Sequence, residues 1–228
     1  MSQVLEQNQA LVFPRGRTEN DFFSETEEII YPEQREDDMG ETSFHAKLIN
    51  RLLGLLLNFF ESRKDVFLSS NMNIYYVEGN PYKWFAPDIL IAFGVPNNER
   101  SVYKIWQEKV FPQVVFEIAS DRTWKNDVAD KLELYERLGA EEYYILDSEF
   151  KYLPAPLMAF RRENDKLSPV QIPDNRIFSP RLGLEIVRTE NSFRLFDPNT
   201  NEFLLTLEES KSEIERLKAE LERLKAQK

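Results

Sequence analysis

The chain has 228 residues, enough for a domain with a sizeable core, and its 42% hydrophobic and 13% aromatic residues exclude disorder throughout. Cys is 0 and His is 1, which excludes disulfide scaffolds, thiolate nucleophiles, Cys-ligated metal sites and His-rich cages. Lys+Arg 29 against Asp+Glu 40 leaves a net charge of −11, so the chain is not a general nucleic-acid coat, since phosphate affinity rests on clustered cations.

Residues 1–40 are polar and acidic and lack a sustained period; they read as an arm over 1–24, with a strand-like run at 28–31. The first residues, Met1-Ser-Gln-Val, carry no basic or apolar leader pattern. The apolar run at 52–60 is interrupted by Gly54 and Asn58 and reaches about half the length that spans a bilayer. A soluble, cytoplasmic protein without a membrane partner is expected.

Residues 41–63 have the pattern of a helix capped by Thr42 or Ser43, with Leu48, Leu52, Leu55, Leu56 and Phe59 at helical spacing. Ile49, Leu53, Leu57 and Phe60 widen the stripe, which implies cover on more than one side. Strand-like runs follow at 66–70, 72–77, 88–93 and 113–119, the last two apolar on both faces as in central strands covered by helices. The intervening 94–112 carries a turn signal at Pro96-Asn-Asn98 and reads as an exposed excursion. Residues 127–138 have helical spacing and stop at Gly139, and 142–147 read as another buried strand. This order gives an α/β core, a central sheet with helices on its faces.

From about 151 prolines become frequent and short β-like runs alternate with turns, including a hairpin turn at 197–201; this is a β-rich extension of the same domain, which spans 25–207. In 208–228, Ile214, Leu217, Leu221 and Leu224 step by 3, 4 and 3 with Glu, Lys and Arg between them, a charged amphipathic or coiled-coil helix suited to a symmetry mate, another helix or a partner.

The residues able to carry chemistry lie between 87 and 135. Asp88 opens one apolar strand and Glu117 is embedded in another. A carboxylate inside such a strand costs several kcal/mol unless a cation, hydrogen bonds or protonation offset it. Two carboxylates on neighbouring strands can share a divalent cation, and oxygen ligation with open water positions suits Mg²⁺ or Mn²⁺. Equally, Asp88 can cap a turn and Glu117 can pair with a core Arg or Lys. After the polar turn 120–123, Asp127, Lys131 and Tyr135 step by 4 and share a helix face, which is also the pattern of a solvated ion pair.

Pro-Asp at 87–88, the strand Val-Val-Phe-Glu-Ile-Ala-Ser at 114–120, Asp127, Lys131, Tyr135 and Gly139 in steps of four, and Glu-Tyr-Tyr-Ile-Leu-Asp at 142–147 together resemble the Uma-type family of putative restriction endonucleases. The family belongs to the PD-(D/E)xK nuclease superfamily, with its restriction-endonuclease-like fold. The resemblance runs over about 25–207, including Phe178-Ser-Pro-Arg-Leu-Gly-Leu184. It implies a three-layer core with a mixed central sheet, and hydrolysis of phosphodiester bonds, with DNA as substrate. Asp88, Glu117 and the Ile118 carbonyl would hold Mg²⁺ or Mn²⁺. One departure matters: two residues after the acid, where the superfamily has lysine, stands Ala119. Lys131 is similar to the family's displaced helix lysine and would act with Tyr135; Lys125 is a further candidate, and Asp127 matches a supporting position. Glu41 and His45 fall where the superfamily often adds a polar group, although His45 is equally read as a plain helix residue.

Three readings compete. The first is a metal-dependent endonuclease acting as a homodimer, assisted by the C-terminal helix. The second is a nuclease-fold protein that no longer cuts and serves as an interaction module, favoured by Ala119 and by that helix. The third, a glycosidase-like carboxylate pair, leaves Lys131 without a role, and Trp84, Phe85 and Phe116 read as core rather than as a sugar platform. The acidity weighs against DNA at long range, but local charge decides docking. Arg122, Lys125 and Lys131 lie near the proposed site, and Arg161-Arg162 lie in the extension.

Overall fold

A computed structural model describes residues 42–226. The expected arm, the run at 28–31 and Glu41 lie outside them. The elements in chain order are α1 (Ser43–Phe59), β1 (Val66–Ser69), β2 (Ile74–Tyr75), β3 (Trp84–Phe85), β4 (Ile89–Phe93), β5 (Tyr103–Lys104), α2 (Ile105–Glu108), β6 (Val114–Ala119), α3 (Trp124–Asp127), α4 (Asp130–Leu138), β7 (Glu142–Asp147), β8 (Leu157–Glu163), β9 (Lys166–Pro169), β10 (Arg176–Ser179), β11 (Leu184–Arg188), β12 (Phe193–Asp197), β13 (Glu202–Phe203) and α5 (Leu207–Lys225).

The central sheet has six strands in the order β1-β4-β6-β7-β8-β9. It is mixed: β6 and β7 are parallel, and the other neighbours are antiparallel. Every residue of β6 and of β7 is buried, because both faces of the sheet are covered. Val114, Phe116 and Ile118 pack with α1 and with the separate four-stranded sheet β10–β13. Val115 and Ala119 point the other way, into a layer built from α4 and the small sheet β3-β2-β5. The expected α/β core, with mixed sheet, β-rich extension and C-terminal helix, is present.

Thr42 caps α1, its hydroxyl accepting the His45 N–H at 3.3 Å. The helix buries Leu48, Ile49, Leu52, Leu55 and Leu56 against β1 and β6 of the central sheet and β12 of the separate sheet, so it is covered from more than one side, while Leu57 stays exposed. The excursion at 94–112 is not simply exposed: it carries β5 and α2, and its apolar Val95, Tyr103 and Phe111 are buried, with Phe111 set against Phe85 and Tyr135. The expected extension from about 151 opens with β8 and β9, which join the central sheet itself; the separate sheet starts at β10. The hairpin turn at 197–201 forms, with the Asp197 carboxylate accepting the Asn199 N–H at 2.8 Å. Among the described residues no helix is long and apolar enough to cross a membrane.

Candidate nuclease site

The register of β4 on β6 builds the site. Ile89 lies opposite Phe116, so the next antiparallel step sets Asp88 opposite Glu117, on the sheet face that carries Val115 and Ala119. Glu117 sits in the middle of β6 and is 1% exposed. Asp88, just ahead of β4, turns its Oδ2 to the Ile118 N–H at 2.6 Å and to His45 Nε2 at 2.9 Å.

The helix expected over 127–138 is broken. α3 ends at Asp127, Ala129 has φ −124° and ψ −86°, and α4 begins at Asp130. The Asp127 carbonyl, which a continuous helix would offer to the N–H four residues on, instead accepts the Tyr143 hydroxyl at 2.9 Å. The three side chains still converge. Lys131 Nζ lies 2.8 Å from Glu117 Oε2 and 2.9 Å from Asp127 Oδ1, and the Tyr135 hydroxyl donates to Glu117 Oε1. The Tyr135 ring is held between Phe85, Phe111 and Tyr143, with centroids 5.2, 6.0 and 5.0 Å away.

The electrostatics follow from one cation serving several acids. Burial pushes the Glu117 carboxyl up to about 8, and the negative charges of Asp88 and Asp127 add to this against the pull of Lys131. Burial likewise raises Asp127. Burial works against the Lys131 ammonium, but Glu117 and Asp127 outweigh it and raise its pKa. Burial also raises the hydroxyls of Tyr135 and Tyr143, with Glu117 adding to both, so both remain neutral donors. Both Asp127 carboxylate oxygens are buried, and Lys131 and Thr123 pull against the effect of that burial. With one lysine among three acids, burial holds Glu117 and Asp127 towards their protonated forms, and a divalent cation at Asp88 and Glu117 would offset their charge once ionised. Among the described residues no three His, Asp or Glu side chains form a ready cation cage, and Mg²⁺, which keeps several waters, needs only one or two carboxylates.

The structure thus brings Asp88, Glu117, Lys131, Tyr135 and Asp127 together. It gives Ile118 a role through its N–H to Asp88, distinct from the carbonyl expected as a ligand. It sends Lys125 elsewhere: this lysine is exposed, with Nζ 5.5 Å from the Trp124 ring. The alternative pairing of Glu117 with a lysine is also met, by Lys131 rather than by a core residue. His45 is buried against Asp88 and is more than a plain helix residue. Tyr143 was missed; its signal was its place on β7 opposite Val115, on the face that carries Glu117.

A comparison with curated proteins finds no match. Among solved structures, a crystal structure titled as a putative nuclease belonging to DUF820 from Anabaena variabilis is similar, with a TM-score of 0.46 and 12% identity over 62% of this chain and 75% of that one. The family model Uma2, described as "Putative restriction endonuclease", matches residues 33–190, a stretch that contains His45, Asp88, Glu117, Lys131 and Tyr135. By that match, over most of its length, the chain belongs to the Uma2 family of putative restriction endonucleases.

Proposed function

We propose that the chain is a divalent-metal-dependent endonuclease that hydrolyses phosphodiester bonds of DNA, works in the cytoplasm and acts as a homodimer. The observation that carries the chemistry is the juxtaposition of Asp88 and Glu117 by strand register, with the Lys131 ammonium against Glu117. Asp88 and Glu117, with the Ile118 carbonyl, would hold Mg²⁺ or Mn²⁺. Such an ion lowers the pKa of bound water and offsets charge on the scissile phosphate. The chain's own groups do the rest. His45 and the Ile118 N–H fix the Asp88 carboxylate, and the Tyr135 hydroxyl fixes Glu117. Lys131, whose side chain is 18% exposed, reaches solvent, whereas the Glu117 and Asp127 side chains it pairs with are 1% exposed. It would donate to the attacking water or to a phosphate oxygen and so stabilise negative charge as the new P–O bond forms and the ester bond breaks.

One observation favours the second reading, a nuclease fold kept as an interaction module: both Glu117 oxygens are already engaged, by Lys131 and Tyr135. Cleavage of supercoiled plasmid with Mg²⁺ or Mn²⁺ separates the two, with wild type and Glu117→Gln purified identically. Metal-dependent nicking lost in the variant is the expected result. Equal activity in both would place the cutting elsewhere, and inactivity of both on DNA and on RNA would leave the interaction module.

A further inference from the structure

α5 is fixed at its start and bare along its length. Thr206 and Glu209 form a reciprocal capping box, and Glu209 also reaches Arg194 at 3.1 Å. From there 19 residues run on as helix, about 28 Å at the usual rise. Leu207, Ile214, Leu217, Leu221 and Leu224 are 50–71% exposed, whereas α1 buries its stripe in the core. A row of large apolar side chains at this spacing is an unfilled seam.

The charges beside the seam decide what fills it. With Ile214 at position a of the heptad, Leu207 and Leu221 are also at a, Leu217 and Leu224 at d, and Ser210 is the polar d residue. Lys211, Lys218 and Lys225 then occupy e, and Glu213 and Glu220 occupy g. In a parallel, in-register pair each g residue faces the e residue of the following heptad on the other helix. Glu213 of one copy then meets Lys218 of the other, and Glu220 meets Lys225, in both directions. In an antiparallel pair g faces g and e faces e, which sets glutamate against glutamate and lysine against lysine. The β-branched Ile214 at a, with leucines at d, favours two strands. Within the single helix Glu213 and Glu220 contact Arg216, and Lys225 contacts Glu222, all as exposed pairs that exchange readily.

We propose that α5 joins two copies of this chain as a parallel, in-register two-stranded coiled coil. This gives the homodimer proposed above its geometry and is separable from the cleavage chemistry: a monomer that cuts DNA overturns the coiled coil and leaves the nuclease reading standing. The test is sedimentation of the full chain. Wild type is expected at twice the chain mass, and the variants Glu213→Lys/Glu220→Lys and Lys218→Glu/Lys225→Glu each at the chain mass. An equimolar mixture of the two variants is expected to regain the dimer. Glu213 is half-buried, Lys218, Glu220 and Lys225 are exposed, and none of them packs in the core, so far-UV circular dichroism and the melt of the domain should not change. Because the chain has no cysteine, Leu224→Cys supplies a single thiol, which in the parallel register cross-links under mild oxidation. A monomeric wild type, a dimer that survives Glu213→Lys/Glu220→Lys, or a dimer of Leu224→Cys that fails to cross-link would each overturn the proposal.

Discussion

Lys131→Met removes the cation and keeps most of the aliphatic stem, so it isolates the charge. In the wild type Lys131 serves both Glu117, which is 1% exposed, and Asp127, which is fully buried. Without it the acids can only be neutralised by protons. Taking up one further proton at pH 7 on a carboxyl whose ordinary pKa is 3.8 costs about 4 kcal/mol, at about 1.4 kcal/mol per pH unit. That is the ceiling on the charge penalty, and it agrees with the roughly 3–5 kcal/mol of a buried pair broken from one side. The sign follows from linkage: the folded variant binds more protons than the unfolded chain above pH 4, so its deficit grows with pH and vanishes near pH 4. With chelator present, urea titration at pH 7 should show a midpoint lower by between about 1 and 2 M, for a slope of about 2–3 kcal/mol per M. At pH 4 the two proteins should unfold together. A deficit equal at both pH values would mean lost packing, and no deficit at pH 7 would mean that Lys131 is not the counter-ion of these acids.

Tyr135→Phe keeps the ring among Phe85, Phe111 and Tyr143 and deletes the hydroxyl that donates to Glu117; it should cost about 1–3 kcal/mol in urea unfolding and lower nicking without abolishing metal binding. Mn²⁺ at a hundredfold excess over its dissociation constant should stabilise the wild type by about 2.7 kcal/mol in thermal unfolding, and Asp88→Asn should remove that gain. In chelator, the Glu117 of the unfolded chain releases its proton near 4.5 and that of the folded chain near 8, so wild-type stability should fall as pH rises through this window. Glu117→Gln should flatten the fall, which differential scanning calorimetry across the window would read.

The acids were legible because a carboxylate amid Val, Phe and Ile has no reason to be there unless something compensates it. What compensates it was half legible. Lys131 and Tyr135 were found from a four-residue step, although its first interval, Asp127 to Lys131, crosses from α3 to α4. Local spacing brought the right residues forward, while the break at Ala129 goes with a carbonyl taken by Tyr143 of β7, a contact distant in sequence. His45 to Asp88 spans 43 positions, and nothing near either residue announces the pair. The same limit applies to β8 and β9: prolines and short runs mark the region as β, but only the pairing of β8 with β7, and of β9 with β8, places them in the central sheet.

Ala119 is where the arrangement departs from the superfamily's pattern, and the strand's alternation says what the departure does. Residues 117 and 119 point to the same face, so a lysine at 119 would lie beside Glu117 on a buried strand. Here that place holds a small side chain, 1% exposed, in the layer that contains α4. The cation comes instead from that layer, with Lys131 delivered from above onto the Glu117 carboxylate. The exchange changes what else the cation touches. A strand lysine would answer to the sheet alone, whereas Lys131 also holds Asp127 at the end of α3 and lies one turn before Tyr135. The charge balance of the acids is therefore tied to how α3 and α4 sit on the sheet: a displacement that draws Lys131 away from Glu117 removes the charge that holds its pKa down and favours the protonated acid.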